Sequence, residues 1–171
     1  LVSTRKRLAV AMGCPEKRIA FEFESRSAKP INPVTVETAP CQEVVMEGDA
    51  VDLTAIPLPL MHLFDGGPYI SGTFAVSIDE DHGPNVGCYR LMYRTPRETG
   101  IDLVSPSDMR FYYQRALDKG KPLPIAIAVG VHPLDMLAAS YKAPIDTSEL
   151  ALAGGLRGEP LEMVKCKTWD L

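Results

Sequence analysis

The chain has 171 residues, of which 46% are hydrophobic and 23% charged, with 18 basic and 22 acidic residues and a net charge of -4. This length and composition argue against intrinsic disorder and fibrous repeats, because such a chain can bury a core of its own. The acidic balance argues against nucleic acid or anionic membranes as partners, since both attract a basic excess. Four cysteines without a CxxC pair favour a reduced, cytoplasmic setting.

The ends of the chain indicate a segment of a longer protein, because it starts at Leu1 rather than methionine and stops at Trp169-Asp170-Leu171 without a tail-like composition. Its longest clean apolar stretch, residues 124–131, is much too short to span a bilayer. Stable membrane insertion is therefore not expected.

Turn signals and hydrophobic periodicity predict the secondary structure in chain order. The predicted elements are a helix over 3–12, brief strands at 34–37 and 43–46, an antiparallel hairpin of strands 69–78 and 85–93, a helix from Ser105 to Gly120, a buried strand at 123–131, short helices at 133–141 and 146–154, and a strand at 161–165. On the helix that begins at Ser105, the spacing predicts one shared face for Met109, Tyr112, Tyr113 and Ala116. Strands followed by alternating helices and strands favour an α+β fold with a barrel-like sheet.

Two acidic residues allow two interpretations. Asp108 and Glu149 each stand three residues after a cap-type residue, Ser105 and Asp146 respectively. In one interpretation they complete capping boxes, in which each acid faces the free amides of a helix start. In the other, both carboxylates join the amide oxygen of Asn85 as hard oxygen ligands for Mg or Mn beside a phosphate. The spacing alone leaves both interpretations open.

The string Asn85-Val-Gly-Cys-Tyr-Arg90 places an amide and a guanidinium in one predicted strand. Either Arg90 holds a substrate carboxylate through two parallel hydrogen bonds, or it is a sheet-surface arginine paired with a neighbour. Common nucleotide-binding, zinc-protease and serine-hydrolase motifs are absent from the sequence, and Gly154-Gly155-Leu-Arg-Gly158 has the wrong spacing for a dinucleotide turn.

Five strings, in one order and register over nearly the whole chain, resemble the UbiD family of decarboxylases. They are Pro57-Leu-Pro59 with Asp65-Gly-Gly-Pro-Tyr-Ile70, then Asn85-Val-Gly-Cys-Tyr-Arg90, Pro124-Ile-Ala-Ile-Ala-Val-Gly130, Glu149 with Ala153-Gly-Gly-Leu-Arg-Gly158, and Glu162-Met-Val-Lys-Cys166. The resemblance implies a reversible, non-oxidative decarboxylase that acts on an aromatic or α,β-unsaturated acid through a prenylated-FMN adduct. It also implies Mn or Mg and potassium near the cofactor phosphate, and a homo-oligomer at full length.

The resemblance implies a domain organisation as well. Residues 1–30 are expected to end a preceding α/β domain, and residues 31–60 to form a connecting segment. Residues 61–171 are expected to form a flavin-reductase-like split β-barrel with flanking helices, which binds prenylated FMN. The family's C-terminal domain, and the glutamates that follow the position of Lys165-Cys166 and supply the general acid, would lie beyond this chain.

By motif position, the resemblance further implies a set of site residues. Arg90 is the expected catalytic residue, in contact with cofactor and substrate carboxylate. The expected cofactor-binding residues are Gly72, Thr73, Asn85, Cys88, Tyr89, Arg90, Ser107, Ser140, Tyr141 and Glu149, and the expected metal ligands are Asn85, Asp108 and Glu149.

The chain departs from the family pattern in ways that keep other functions open. Asp108 stands where the family commonly has a histidine ligand, and with the missing glutamates it supports the alternative of a non-catalytic flavin- or phosphate-binding subunit. A third interpretation is a plain FMN reductase of the split-barrel type. Asn85 and Arg90 are five residues apart and would point to opposite faces of a regular strand, so a bulge, a strand end or a cofactor that wraps the strand edge is expected.

Overall fold

A computed structural model describes residues 4–144, 147–169 and 171. Its α-helices are α1 Arg5–Met12, α2 Ile19–Ser27, α3 Asp108–Asp118, α4 Pro133–Ala139 and α5 Glu149–Arg157. Its strands are β1 Val34–Val36, β2 Tyr69–Ile70, β3 Thr73–Asp79, β4 Gly83–Gly87, β5 Leu91–Thr95, β6 Glu98–Ile101, β7 Ala126–Val129 and β8 Glu162–Val164. None of the helices described here is both long and apolar enough to cross a membrane.

The first helix begins at Arg5, within the predicted range, and ends at Met12 as the sequence predicts. The Thr4 hydroxyl accepts a hydrogen bond from the Arg7 backbone N–H at 3.3 Å, which satisfies one free amide of the helix start. Gly13 ends α1 in the left-handed conformation, with φ of 61°, which a residue without a Cβ adopts at little cost. The predicted helix is therefore confirmed over residues 5–12, and Ser3, the cap-type residue expected to open it, lies outside the described residues.

The capping-box interpretation of the two acids is wrong. Ser107, not Ser105, caps α3, because its hydroxyl accepts the Arg110 N–H at 3.3 Å. Ser148 caps α5 in the same way. Asp108 and Glu149 are thus the first residues of their helices rather than the third, which is the position a capping box requires. The proposed cap at Asp146 lies outside the described residues.

The two long strands predicted around the hairpin are each divided between two sheets. Strands β3 and β4 form the predicted antiparallel hairpin, in which Ser77 lies opposite Asn85 and Val76 opposite Val86. Their sequence neighbours β2 and β5 pair with each other instead, in a separate sheet. Strand β4 ends at Gly87, so Arg90 lies beyond its end, as the spacing of Asn85 and Arg90 requires.

The described strands form three small sheets in the orders β4-β3-β7, β2-β5-β6 and β1-β8, and only the last pair is parallel. Helices and strands together confirm an α+β fold. The sheets do not close on one another within the described residues, so the expected split β-barrel is not confirmed.

Three local predictions are wrong, because each depended on partners that the sequence does not reveal. Residues 43–46 form no strand and are exposed, since they pair with no neighbouring strand in the described part of the chain. Strand β7 is an edge strand with Val129 58% exposed, rather than a buried one. Tyr113 is exposed because α3 contacts β3 and β4 along a narrow stripe that buries Met109 and Tyr112.

The core lies where helices α4 and α5 pack against strands β3 and β4, with α1 packed against α4. Its members include Met12, Phe74, Val76, Val86, Leu134, Ala138, Leu150, Leu152, Ala153 and Leu156. Helix α5 also lies very close to the segment at 29–31, since a Cβ at Gly155 would stand 2.6 Å from the Lys29 carbonyl oxygen. The paired glycines at 154 and 155 therefore allow α5 to pack closely against this segment.

Candidate functional site

Most of the predicted site residues line one open cleft of about 460 Å³. It lies between the end of β4, the start of α3, the loop after α4 and the start of α5. The predicted residues that line it are Asn85, Cys88, Tyr89, Ser107, Asp108, Ser140, Tyr141 and Glu149. Residues from four separate elements therefore meet at one place, as a ligand site requires.

Glu149 is the most buried acid of the cleft, at 4% exposure. Its Oε2 accepts a hydrogen bond from the Val86 backbone N–H at 3.1 Å. Burial raises the pKa of this carboxyl, and the backbone N–H groups of Glu149 and Val86 oppose that rise, while the negative charge of Asp108 adds to it. A nearby positive charge would therefore stabilise the ionised form of Glu149.

Asn85 lies beside it on strand β4, 5% exposed. Its Oδ1 accepts no hydrogen bond from any residue that the structure describes, and neither does the hydroxyl of Ser77, its partner across the strands. A buried amide oxygen without a donor costs free energy unless a ligand satisfies it. Lining the cleft, it is a ready acceptor for a cation or a ligand donor.

The donor set suits a hard divalent cation. The oxygens of Asn85, Asp108 and Glu149 are the kind that Mg and Mn bind. Among the described residues no three His, Cys, Asp or Glu side chains cluster as a metal site. A metal here would therefore depend on the Asn85 amide together with the two carboxylates.

Tyr89 and Cys88 occupy the other side of the cleft. The Tyr89 ring lies over Gly87, where a Cβ would stand 2.5 Å from the ring carbon Cε2. Burial raises the pKa of the Tyr89 phenol, and polar groups of Ser107 and Met109 at the start of α3 oppose that rise. The Cys88 sulfur lies 3.4 Å from the Ser140 hydroxyl.

Three predicted residues lie outside the cleft lining. Gly72 lies in the break between β2 and β3. Thr73 is fully buried, and its hydroxyl donates to the Tyr89 carbonyl at 2.5 Å and accepts the Tyr89 N–H at 2.9 Å, so it holds the backbone of that residue. Arg90 has 66% of its side chain exposed and forms an ion pair with Asp102. In this conformation Arg90 is the surface arginine of the second interpretation.

One charged residue of the cleft was missed in the sequence. Lys142 lines the cleft and brings a positive charge to a surface that carries Asp108 and Glu149. The only signal available was its position directly after Ser140-Tyr141, because a solvent-exposed lysine in a loop has no distinguishing pattern.

Comparison with known proteins identifies the family to which the chain is similar. The family model of the 3-octaprenyl-4-hydroxybenzoate carboxy-lyase Rift-related domain matches residues 32–171. A pyrrole-2-carboxylic acid decarboxylase of Pseudomonas aeruginosa is 32% identical over 95% of this chain and 34% of its own length. A phenolic acid decarboxylase of Bacillus subtilis is 34% identical over 96% of this chain and 36% of its own length.

Among solved structures, the UbiD-class enzyme HmfF of Pelotomaculum thermopropionicum, in complex with FMN, superposes with a TM-score of 0.92. It is 33% identical, and the match covers 99% of this chain and 38% of HmfF. The chain spans about a third of the length of the curated relatives named above, at 34% and 36%. The family model, the relatives and the superposed structure agree, and the chain belongs to the UbiD family of carboxy-lyases.

Proposed function

We propose that the protein is a prenylated-FMN-dependent carboxy-lyase, which reversibly decarboxylates an aromatic or α,β-unsaturated acid. The observation that carries the proposal is the cleft, where Asn85, Asp108 and Glu149 present oxygen atoms beside the start of α3. The relatives named above decarboxylate aromatic acids, and HmfF is solved with FMN. When bound, the modified flavin supplies the covalent catalysis of carbon dioxide loss.

The cleft would hold the phosphate end of the cofactor. Ser107 and the backbone at the start of α3 offer donors, and a helix N-terminus favours an anion. Asn85, Asp108 and Glu149 would hold Mn or Mg there, which would neutralise the two carboxylates and the phosphate together. The loop at Ser140 and Tyr141 would contribute to the phosphate and potassium side of the site.

Thr73 would act on the cofactor indirectly. Its two hydrogen bonds to the Tyr89 backbone hold the link between β4 and β5, which carries Cys88, Tyr89 and Arg90. Gly72, just before it, would leave room for the flavin, since a Cβ there would meet nothing within 4 Å.

Arg90 would orient the substrate carboxylate. Its guanidinium already pairs with one carboxylate, that of Asp102, through a single nitrogen, and a substrate acid would take the place of Asp102. An exposed ion pair of this kind contributes about 0–1 kcal/mol, so the exchange costs little. The general acid would come from a segment beyond this chain.

The test is release of carbon dioxide from a panel of aromatic and α,β-unsaturated acids by the purified full-length protein matured with prenylated FMN. We expect turnover of at least one acid and its loss in Arg90→Ala, with flavin binding kept. Unchanged turnover in Arg90→Ala would remove the role of the arginine. Flavin binding without turnover of any acid would favour the non-catalytic binding subunit, and NADH oxidation with ordinary FMN would favour the reductase.

The proposed partners are a small-molecule acid and further copies of the full-length protein, in a cytoplasmic setting. The net charge of -4 is consistent with partners other than nucleic acid. Size-exclusion chromatography with light scattering on the full-length protein tests the oligomeric state.

A further inference from the structure

We infer that Asp102 is a specificity-determining residue, which holds the Arg90 guanidinium as an internal carboxylate and releases it only to an acid. Arg90 then has two positions, one docked on Asp102 and one turned toward a bound acid. The inference rests on the proposed function for the class of ligand, a carboxylic acid, and it goes beyond that function by giving Asp102 control over the arginine.

The place of the pair in the sheet carries the first step. Leu91 at the start of β5 lies opposite Ile101 at the end of β6, in an antiparallel pairing. Arg90 and Asp102 are the next residues beyond this pair, and the Asp102 N–H donates to the Arg90 carbonyl at 3.1 Å. The two residues therefore face each other across the end of the sheet, where opposite charges attract.

Asp102 is held independently of Arg90. Its Oδ1 accepts the Val104 backbone N–H at 3.2 Å, while its Oδ2 binds the Arg90 guanidinium. Arg110 on helix α3 donates from Nη1 to the carbonyl oxygens of Leu103 at 2.9 Å and Val104 at 2.6 Å. The carboxylate thus belongs to a loop that is fixed to α3, so it stays in place when the Arg90 side chain leaves it.

Arg90, in contrast, is fixed at its backbone and not at its side chain. The Thr73 hydroxyl holds the N–H and the carbonyl of the preceding Tyr89, and the Asp102 N–H holds the carbonyl of Arg90 itself. The side chain is 66% exposed and binds Asp102 through one guanidinium nitrogen. The two residues before it, Cys88 and Tyr89, line the cleft. Arg90 can therefore turn from Asp102 to a ligand at this side of the cleft without a change of backbone.

The strength of the docked pair suits release to an acid. The Val104 N–H and the Arg90 guanidinium lower the pKa of Asp102, so both partners are charged at pH 7. An exposed ion pair is weak, so the docked position is favoured over the free one by no more than about fivefold. A neutral ligand offers the guanidinium no counter-charge and leaves it on Asp102. An acid with further contacts of its own draws Arg90 away, and Asp102 then stays in contact with water.

The test compares Asp102→Asn with the wild type in the full-length protein matured with prenylated FMN, using benzoate and its neutral analogue benzamide. Asparagine keeps the Oδ1 that accepts the Val104 N–H and the N–H that holds the Arg90 carbonyl, and removes the charge. Because docking lowers the fraction of arginine that is available, we expect benzoate to bind about 2- to 6-fold more tightly in isothermal titration and benzamide to bind unchanged. Asp49→Asn, which removes the exposed partner of Arg97, is the matched control and should alter neither affinity.

Reaction with phenylglyoxal, which modifies arginine side chains, measures the docking without any ligand. We expect Arg90 to react about 2- to 6-fold faster in Asp102→Asn, followed by peptide mass spectrometry, and Arg97 to react faster in Asp49→Asn only. Asp102→Ser, whose hydroxyl can also accept the Val104 N–H, is a second variant and should change both measurements in the same direction.

Where Arg90→Ala weakens benzoate binding, weaker or unchanged benzoate binding in Asp102→Asn would overturn the inference, because Asp102 would then position Arg90 for the acid or play no part. Equal tightening of benzamide would also overturn it, since the change would then open the site to any ligand. An unchanged reaction of Arg90 with phenylglyoxal would show that the pair does not form in solution. If Arg90→Ala binds benzoate no worse than the wild type, the proposed function is contradicted instead, and the phenylglyoxal rates alone decide whether Asp102 holds Arg90.

Discussion

The Glu149 carboxylate accepts the Val86 backbone N–H at 3.1 Å and so joins the first residue of α5 to strand β4. In Glu149→Gln the amide oxygen can keep this hydrogen bond, so the variant should fold. Loss of the negative charge should weaken Mn²⁺ binding by about tenfold, or about 1.4 kcal/mol. Isothermal titration with Mn²⁺ measures this. Glu162→Gln on the exposed face of β8 is the control, and equal Mn²⁺ affinity in the two variants would remove Glu149 from the metal site.

The same carboxyl predicts a pH dependence of stability. Burial raises the pKa of Glu149 above the 4.5 of a free glutamate, so the folded state holds the proton more tightly than the unfolded state. Its contribution is therefore fully present below pH 4.5 and is lost as the pH rises through the raised pKa. Relative to the wild type, Glu149→Gln should gain stability over this window in urea unfolding without metal. A difference in the free energy of unfolding between the variant and the wild type that does not change with pH would contradict the prediction.

Of two arginine ion pairs, the one with the longer distance should contribute more to the free energy of unfolding, because its carboxylate is buried. Arg157 lies 3.3 Å from the buried Asp135, whereas Arg97 lies 2.7 Å from Asp49, whose side chain is 98% exposed. Arg157→Met leaves a buried carboxylate without its counter-charge and should cost about 2 kcal/mol, less than for a fully buried pair. Arg97→Met should cost less than about 1 kcal/mol. Equal losses in the free energy of unfolding would show that burial does not decide the strength.

Gly155→Ala should destabilise the protein although alanine favours helices. The gain in helix propensity is about 1 kcal/mol, but the new Cβ would stand 2.6 Å from the Lys29 carbonyl oxygen, which is backbone. Overpacking against backbone costs about 1–3 kcal/mol, so we expect a net loss of up to about 2 kcal/mol in chemical denaturation. Gly66→Ala is the control, since its nearest neighbour is the Met92 sulfur at 3.6 Å. A stabilised Gly155→Ala would mean that α5 has room to move.

Lys142 should assist binding of the phosphate and not of the flavin ring. It brings a positive charge to a cleft that carries two carboxylates, Asp108 and Glu149. An exposed charge pair contributes up to about 1 kcal/mol, so Lys142→Gln should weaken FMN binding by about 2- to 5-fold at low salt and leave riboflavin unchanged. Lys121→Gln, whose lysine lines a different cavity, is the control. Loss of riboflavin binding in Lys142→Gln would assign the lysine a structural role.

Local chemistry explains what could be predicted. The stop at Gly13 and the β3–β4 hairpin depend on neighbouring residues, so their positions follow from a short stretch of sequence. Ser105 and Ser107 are equally good caps by residue type, and only the path of the chain decides that Ser107 accepts the Arg110 N–H. Residue type alone therefore does not predict the exact residue at which a helix starts.

The sequence by itself determined the family, the α+β class and eight of the residues that line the cleft, because these follow from residues in a constant order along the chain. Only the tertiary structure decided which of them meet, that the Thr73 hydroxyl hydrogen-bonds the Tyr89 backbone, and that Arg90 pairs with Asp102. It also divided each long predicted strand between two sheets. The physical reason is that strand pairing, burial and ion pairs join residues far apart in the chain, and no local pattern specifies a distant partner.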